Sequence, residues 1–408
     1  MERLKRWVRR AGWAAALLLI ITTLAWTATN WVATRRLKSA IEEWRAQGYE
    51  VTGSLLAPPP VSPKDNAARY FDAAFALFLP PDENAQRALS RLQADDTQPT
   101  PEEWDAIRAW IDSNAPALEL VRQGGLLPKC RYNWDYDSGL RMRVPQLTSF
   151  YKTFEALAWR ARLDAGSGNF EHATDAIRSA LALARSFEKT PLLVTGLVGV
   201  AVKRRITEAT GQCISSTTSL ADLQRLKELL PDESSILKDL GHALRGEVVF
   251  TIDQVTWATD RIQEASEAPA LPWGFATPFL RLDEASHLRR MIALLKLCAE
   301  PPDRALAEAL RMKQEVSNEW TSPFGSGVFP AMVEAFRSAS NLQKYSAMTR
   351  AGLQLEIARL TSGSYPEKSD VLDPTTGRPF TLDLKAGLLR SEPASPGQYV
   401  PKWHLRHP

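Results

Sequence analysis

The stretch AGWAAALLLIITTLAWTATNWVAT, residues 11–34, decides the fold class, because it is 24 residues long and carries no ionisable side chain. As an α-helix it would be about 36 Å long, and the hydrocarbon core of a bilayer is about 30 Å thick. Trp13 and Trp31 stand 18 residues apart, so about 27 Å of helix would bring one tryptophan to each membrane interface. The stretch therefore predicts a transmembrane helix.

Basic residues flank this stretch unequally. Residues 1–10 carry a net charge of +4, whereas Arg35, Arg36 and Lys38 on the far side are partly countered by two glutamates. Because loops rich in lysine and arginine stay on the cytoplasmic side, this bias predicts a cytoplasmic N-terminus and an extracytoplasmic body. We expect a single-pass protein of the bacterial cytoplasmic membrane, with its N-terminus inside.

A cleaved signal peptide is the alternative interpretation of this N-terminus. Such a peptide requires small residues at positions −3 and −1 relative to the cleavage site. Cleavage after Ala28 or Ala33 would place Trp26 or Trp31 at position −3. We therefore expect an uncleaved signal anchor.

The rest of the chain has the composition of an ordinary globular protein. Of the 408 residues, 44% are apolar and 24% are charged, and the residues after Thr34 carry a net charge of −1. A nucleic-acid-binding protein requires a basic face. The near-neutral body argues against that class, and we expect no nucleic-acid partner.

Local composition divides the chain into five parts. The run APPPVSP from Ala57 predicts a stiff, extended linker, since each proline fixes φ and lacks a backbone donor. After Gly363, the turn residues Asp373–Gly377 stand between alternating apolar positions, which predicts a small β-hairpin. The predicted parts are a cytoplasmic basic tip over 1–10, a transmembrane helix over 11–34, a stalk and proline-rich linker over 35–64, a helical domain over 65–362 and a small β-containing tail over 363–408.

The predicted helical domain consists of packed hairpins. Apolar side chains recur at helical spacing over 150–161 and over 170–187, and the sequence GSGN at 166–169 separates the two stripes. This pair resembles one tetratricopeptide-type hairpin, without a second copy at the 34-residue period. The predicted fold class is all-α, with a transmembrane helix, packed hairpins and a small C-terminal β-hairpin region. Elsewhere we expect loops over 82–100 and 268–280, a turn at 325–327 and a long helix from about 330 to 360.

The sequence KCRYNWDYDSG, residues 129–139, is the candidate ligand-binding loop. Asp135 and Asp137 stand two residues apart, a spacing at which carboxylates chelate a divalent cation, although the loop lacks the glycine and glutamate positions of an EF-hand. Tyr132 and Trp134 offer faces on which a sugar or a peptide stacks, and Arg131 would pair with either acid. The structural alternative is that the aromatic rings fill a groove between helices, while the acids cap a helix or accept from backbone amides.

The sequence contains no complete motif of catalysis or metal binding: S-x-x-K occurs at 149–152 and at 186–189, but its partner motifs S-D-N and K-T-G do not occur. The five histidines form no H-E-x-x-H pattern, and no G-x-S-x-G, Walker or dinucleotide-binding glycine pattern occurs. The three cysteines, Cys130, Cys213 and Cys298, have no C-x-x-C spacing and leave any disulfide pairing open. We therefore assign no catalytic residue, no metal ligand and no cofactor.

Four short pieces together resemble a group of uncharacterised bacterial proteins that have a single membrane span and a helical exterior domain. They are Asn66–Tyr70, Cys130–Gly139, the Gly168–Ala173 hairpin turn and the ending SYPEKSDVLDPTTGRPF at 364–380. The last piece also resembles the tail of type II secretion pseudopilins, in which a long helix leads to Tyr-Pro and an Asp-Pro turn. The chain departs from the pseudopilin pattern at its front, where no glutamate opens the apolar helix. These resemblances imply an anchored helical architecture and no particular chemistry.

The function we predict from these features is non-catalytic: a membrane-anchored, extracytoplasmic scaffold or binding module for a protein, a peptide or an envelope polymer. One alternative is a cell-envelope hydrolase or transferase that uses Asp135, Asp137 and Glu247, because Glu247 lies among apolar residues and burial raises the pKa of a carboxyl group. This alternative requires the three carboxylates to share one concave site. A further alternative is a subunit associated with a secretion apparatus.

Overall fold

The computed structural model of the protein describes residues 2–52, 57–94, 99–136, 138, 142–144, 147–188, 190, 192–264, 271–317, 323–391 and 402–405. Within these residues the chain forms thirteen α-helices and one antiparallel sheet of three short strands. This architecture confirms the predicted all-α class with a small C-terminal β region.

The elements follow one another along the chain with mostly short connections. The first six helices are α1 Glu2–Ala46, α2 Ala68–Leu77, α3 Glu83–Ala94, α4 Pro101–Ser113, α5 Ala115–Gly125 and α6 Leu147–Gly166. The next seven are α7 Phe170–Glu188, α8 Leu193–Ser216, α9 Leu220–Leu229, α10 Glu233–Glu264, α11 Leu271–Leu297, α12 Pro302–Ser317 and α13 Pro323–Ser362. The strands are β1 Thr381–Asp383, β2 Leu388–Arg390 and β3 Lys402–His404, paired in that order.

The N-terminal helix α1 contains the apolar segment. It is, among the described residues, the one helix long and apolar enough to cross a membrane: within Arg9–Ala46, its most apolar window has a mean hydropathy of 1.7 and is 0% buried. Leu18 and Leu24, for example, are 66% and 65% exposed. Most of the apolar segment therefore lies outside the core of the body, unlike an ordinary buried helix.

Helix α1 continues without a break from this exposed segment into the body. Its partly or fully buried side chains include a series at alternate spacings of four and three residues, which forms a seam along the helix: Trp26, Asn30, Ala33, Leu37, Ala40 and Trp44. The seam packs against α11. Trp44 is fully buried, and its indole nitrogen donates to the Glu50 carbonyl oxygen at 2.7 Å.

The body has two hydrophobic cores. One core lies beside α1 and includes Trp44, Leu244, Leu288 and Phe336. The other holds the aromatic residues of the loops and of α2 to α7, together with the C-terminal tail. The long helices α8 and α13 contribute to both cores and pack against each other, so they join the two halves of the body.

The predicted hairpin of α6 and α7 is present. The two helices pack along each other, and the chain reverses at Gly168, whose φ of +78° is a conformation that glycine adopts without strain. Both helices then pack against α8.

Three expected irregular stretches are helical instead. Residues 83–94 form α3, because Ala85, Ala88 and Leu89 share a buried face and the Asp82 carboxylate accepts from the Ala85 backbone nitrogen at 2.8 Å. Helix α11 begins at Leu271, within the stretch expected to be a loop, and α13 begins at Pro323, so that the expected turn at 325–327 lies inside a helix. Pro272 and Pro323 lie in first helical turns, with which proline is compatible, whereas Pro278 lies inside α11.

The C-terminal tail is joined tightly to the body. The Asp373–Gly377 turn is present, with Gly377 at a φ of +65°. The ring of Trp403 on β3 lies against α13 at Gly352, where an added Cβ atom would be 2.4 Å from the indole Cε2 atom. Only glycine at position 352 allows this approach, so the helix and the last strand are matched to each other.

Candidate functional site

Asn66, the first residue of the Asn66–Tyr70 stretch, forms hydrogen bonds with the backbone of the candidate loop. The Asn66 side-chain nitrogen donates to the Arg131 carbonyl oxygen, and its side-chain oxygen accepts from the Arg131 backbone nitrogen, both at 2.9 Å. The same oxygen accepts from the Ala68 nitrogen at the start of α2, at 3.1 Å. One side chain therefore joins the loop to the first helix of the body.

Replacing Asn66 by alanine is expected to destabilise the protein by about 1–3 kcal/mol, because several backbone groups lose their hydrogen-bond partner. Urea denaturation of the full chain in detergent, followed by circular dichroism, measures this loss. The matched control is Asn84→Ala on the exposed face of α3. Equal stability of the two variants would contradict a fastening role for Asn66.

The aromatic residues of the loop are buried. Tyr132 and Trp134 are 2% and 8% exposed, and their rings are stacked with centroids 4.8 Å apart. Phe187 of α7 meets both rings edge-on, and the Tyr132 hydroxyl group lies 2.9 Å from Ser186 Oγ. Burial raises the pKa of Tyr132 well above its ordinary value. The two rings thus pack in the core of the body.

The charged residues of the loop lie apart from this aromatic core. Asp135 is exposed, and its carbonyl oxygen accepts from the backbone nitrogen and the hydroxyl group of Ser138. Arg131 is half-buried beside Asn66. Asp137 lies outside the described residues. The candidate ligand-binding role of Arg131, Tyr132, Trp134, Asp135 and Asp137 stays a prediction.

A cleft of about 750 Å³ lies beside the start of the same loop, at Lys129 and Cys130. Its walls come from five parts of the chain: the proline-rich linker, the start of α2, the stretch from Gly124 to Cys130, the end of α7 and the first half of α10. Its volume lies in the range of about 300–1,000 Å³ typical of ligand sites. Residues that line it include Pro58, Pro59, Phe71, Leu126, Lys129, Arg185, Glu188, Asp239 and His242.

Glycine shapes the inner wall of the cleft. An added Cβ atom at Gly124 would lie 2.7 Å from the Phe71 ring, and one at Gly125 would lie 3.1 Å from Ala182 Cβ. The end of α5 therefore fits between α2 and α7 only without side chains at these two positions. The next residue, Leu126, is 69% exposed and lies in the wall of the cleft.

A cluster of three ionisable side chains lies beside the cleft, and two of them, Glu188 and Asp239, line it. The ammonium group of Lys203 on α8 lies 2.8 Å from Glu188 Oε1 and 2.8 Å from Asp239 Oδ2. Burial raises the pKa of Glu188, with Lys203 opposing the shift. Burial alone would lower the pKa of Lys203, but the two carboxylates outweigh it and the pKa is raised. The cluster therefore links α7, α8 and α10 beside the cleft.

The carboxylates of the enzymatic alternative do not meet in this cleft. Neither Asp135 nor Glu247 lines it. Glu247 Oε2 accepts from the Leu193 backbone nitrogen at 3.3 Å, at the start of α8, and burial raises the pKa of Glu247. A carboxylate at a helix N-terminus is a common structural arrangement, and this contact accounts for the position of Glu247.

Clusters of metal-binding side chains and disulfides are absent from the described part of the chain. No group of three or more histidine, cysteine or acidic residues that could hold a metal ion occurs in the described part of the chain. The three cysteines, all of which belong to that part, form no disulfide. Burial raises the pKa values of Cys213 and Cys298 to about 12, so both remain as thiols at neutral pH.

The sequence singled out Lys129 as part of the loop 129–139, but it missed Arg185, Asp239 and His242, because these cleft residues are far apart in the chain and form no short pattern. The one local signal was the Gly124-Gly125 pair, which marked a close approach of the backbone. No family model, curated protein or solved structure matches the chain.

Proposed function

We propose that the protein is a single-pass, membrane-anchored binding protein, with a cytoplasmic N-terminus and an extracytoplasmic body whose cleft holds an extended peptide segment of another protein. The cleft beside Leu126 is the observation that carries this proposal. The resemblance to bacterial single-span proteins with a helical exterior domain agrees with the proposed location.

The exposed apolar segment of α1 supports the anchoring. A water-exposed surface of leucine, isoleucine and tryptophan side chains along several helical turns is unfavourable. Insertion of this surface into a bilayer removes it from water and satisfies the helix backbone internally. The five basic residues before the segment favour the orientation with the N-terminus inside.

The composition of the cleft supports a peptide as the occupant. Leu126 and the prolines of the linker provide apolar contacts. The charged residues of the lining have both signs: Lys129 and Arg185 are basic, and Glu188 and Asp239 are acidic. An anionic envelope polymer would favour a wall of one sign, whereas a peptide brings apolar side chains, backbone groups and charges of both signs. Prolines at the rim also keep the linker extended, which gives the cleft one stiff wall.

The test is peptide selection on the full chain in lipid nanodiscs, followed by affinity measurement for the selected peptides. Leu126→Asp is expected to weaken binding at least about tenfold, which corresponds to about 1.4 kcal/mol, because it places a charge in the apolar wall. The matched control is Leu220→Asp at the start of α9, where the leucine is 39% exposed and does not line the cleft. Equal affinities of the two variants, or failure to select any peptide, would contradict the proposal.

A further inference from the structure

We propose that the start of α11, the turns that precede Arg281, inserts into the outer interfacial layer of the bilayer that α1 crosses. This inference rests on the proposed anchoring of α1, and it assigns the body a second contact with lipid. The partner is the outer leaflet itself: the boundary between headgroups and acyl chains.

The contacts between α1 and α11 fix how the two helices are aligned. The Arg281 guanidinium group donates to Asn30 Oδ1 at 2.9 Å and to Thr34 Oγ1 at 3.0 Å. Two turns further along α11, Arg289 pairs with Glu43 at 2.9 Å. Later residues of α11 therefore contact later residues of α1, so the two helices run parallel. Residues before Arg281 lie level with the apolar segment of α1.

The charge patterns of the two helices change at the same level. On α1, the uncharged segment ends at Thr34 and Arg35 follows. On α11, no charged residue occurs from its start at Leu271 to Leu280, and Arg281 follows. Because Arg281 is bonded to Asn30 and Thr34, the two boundaries coincide in space, as expected where both helices leave the same apolar layer.

The length of the apolar segment decides where the membrane edge lies. Its 24 residues make about 36 Å of helix, of which a core of about 30 Å covers about 20 residues. If the core begins after Arg10, its outer edge falls between about Asn30 and Thr34, the level of Arg281. A shift of the hydrocarbon core toward the cytoplasmic side would bury Arg9 and Arg10. The free-energy cost of such burial rises to about 2.5–3.5 kcal/mol for an arginine near the bilayer centre. Residues before Arg281 therefore lie at or below the edge.

The side chains at this level are suited to a lipid interface. Phe279 is 64% exposed, and Trp31 and Val32 on α1 are 58% and 39% exposed. The guanidinium group of Arg35 lies over the Trp31 ring, 4.8 Å from its centroid. Tryptophan and arginine are typical anchors at the membrane boundary.

Three exposed positions on α11 can report the depth of this helix in the bilayer. Phe279, Ser286 and Ala293 are exposed and stand seven residues apart on one face of the helix, so each step is about 10.5 Å along the axis. An environment-sensitive fluorescent amino acid is placed at each position in the full chain, in vesicles that contain lipids with a quencher on the acyl chain. We expect quenching and a blue-shifted emission at position 279, weaker quenching at 286 and none at 293.

A fourth label separates failure of this inference from failure of the anchor. Ile21 on α1 is 55% exposed and lies in the apolar segment. Quenching at 21 but not at 279 would overturn the insertion of α11 and leave the anchor standing, whereas no quenching at 21 would overturn both. Iodide in the aqueous phase gives the reverse measurement: it is expected to quench position 293 and to spare 279. Equal iodide quenching at the two positions would also overturn the insertion.

Discussion

Replacing Asp373 by asparagine is expected to destabilise the protein by about 3–5 kcal/mol, because it leaves a buried lysine without its counter-charge. Lys344 on α13 is 0% exposed, and its ammonium nitrogen lies 3.6 Å from Asp373 Oδ2 in the tail. This nitrogen has no hydrogen-bond partner among the described residues. The measurement is the free energy of unfolding of the full chain in detergent.

The reverse deletion, Lys344→Met, is expected to cost less. Asp373 would keep its other partners, since Oδ1 accepts from the nitrogen and the hydroxyl group of Thr375 at 2.8 and 2.6 Å, and Oδ2 accepts from the Ser391 hydroxyl group. The double variant should therefore be more stable than Asp373→Asn alone. An Asp373→Asn protein as stable as the wild type would show that this pair does not join the tail to the body.

Replacing Glu284 by glutamine is expected to stabilise the protein in a pH-dependent way. Glu284 on α11 is 1% exposed, and neither carboxylate oxygen has a hydrogen-bond partner among the described residues. Burial, and then the nearby charge of Asp283, raise the pKa of Glu284 from 4.5 to about 8. His287, one turn further along α11, does not offset a negative charge on Glu284, because it is neutral at neutral pH. Burial lowers the pKa of His287 to about 4; the charge of Arg290 adds to this shift, and the charge of Asp283 opposes it.

The sign of the effect follows from proton binding. Between pH 4.5 and about 8 the unfolded chain gives up the Glu284 proton while the folded protein retains it, so the wild type loses stability as the pH rises. The loss reaches about 4 kcal/mol at the upper end of this window. Glutamine does not titrate, so the variant should match the wild type near pH 4.5 and exceed its stability by about that amount near pH 8.

Urea denaturation at a series of pH values measures this difference. The matched control is Glu228→Gln on the exposed face of α9, which should follow the wild type throughout. A difference between Glu284→Gln and the wild type that does not change with pH would mean that Glu284 is ionised in the folded protein.

The fold was predictable where a single strong signal covers a whole element. The charge-free run of α1 and the paired apolar stripes of α6 and α7 are such signals. The sequence misled where proline and glycine suggested a break, as at the starts of α11 and α13. A glycine inside a helix costs about 1 kcal/mol and a proline about 3 kcal/mol, and Pro278 and Pro330 lie inside α11 and α13. The packing of α11 against α1 and α10, and of α13 against α8, α10 and α12, outweighs these costs.

The candidate site was predictable in part. The loop at 129–139 was recognised by its unusual density of aromatic and charged residues, and it does form one wall of the cleft through Lys129 and Cys130. Its aromatic rings face the core instead, which no local pattern could have decided, because Phe187 and Ser186 come from a helix about 50 residues away. The charges opposite Lys129 belong to α7 and α10, and only the tertiary fold brings them together.

The most direct test of the central claim, that α1 spans the membrane and holds the body outside the cytoplasm, is protease treatment of intact spheroplasts that express the full chain with a tag at each end. We predict that the C-terminal tag is lost, that the N-terminal tag survives on a fragment about as long as α1, and that a cytosolic marker protein stays intact. Lysed cells provide the control that the body can be digested. Survival of the C-terminal tag in intact spheroplasts, together with its loss after lysis, would contradict the account.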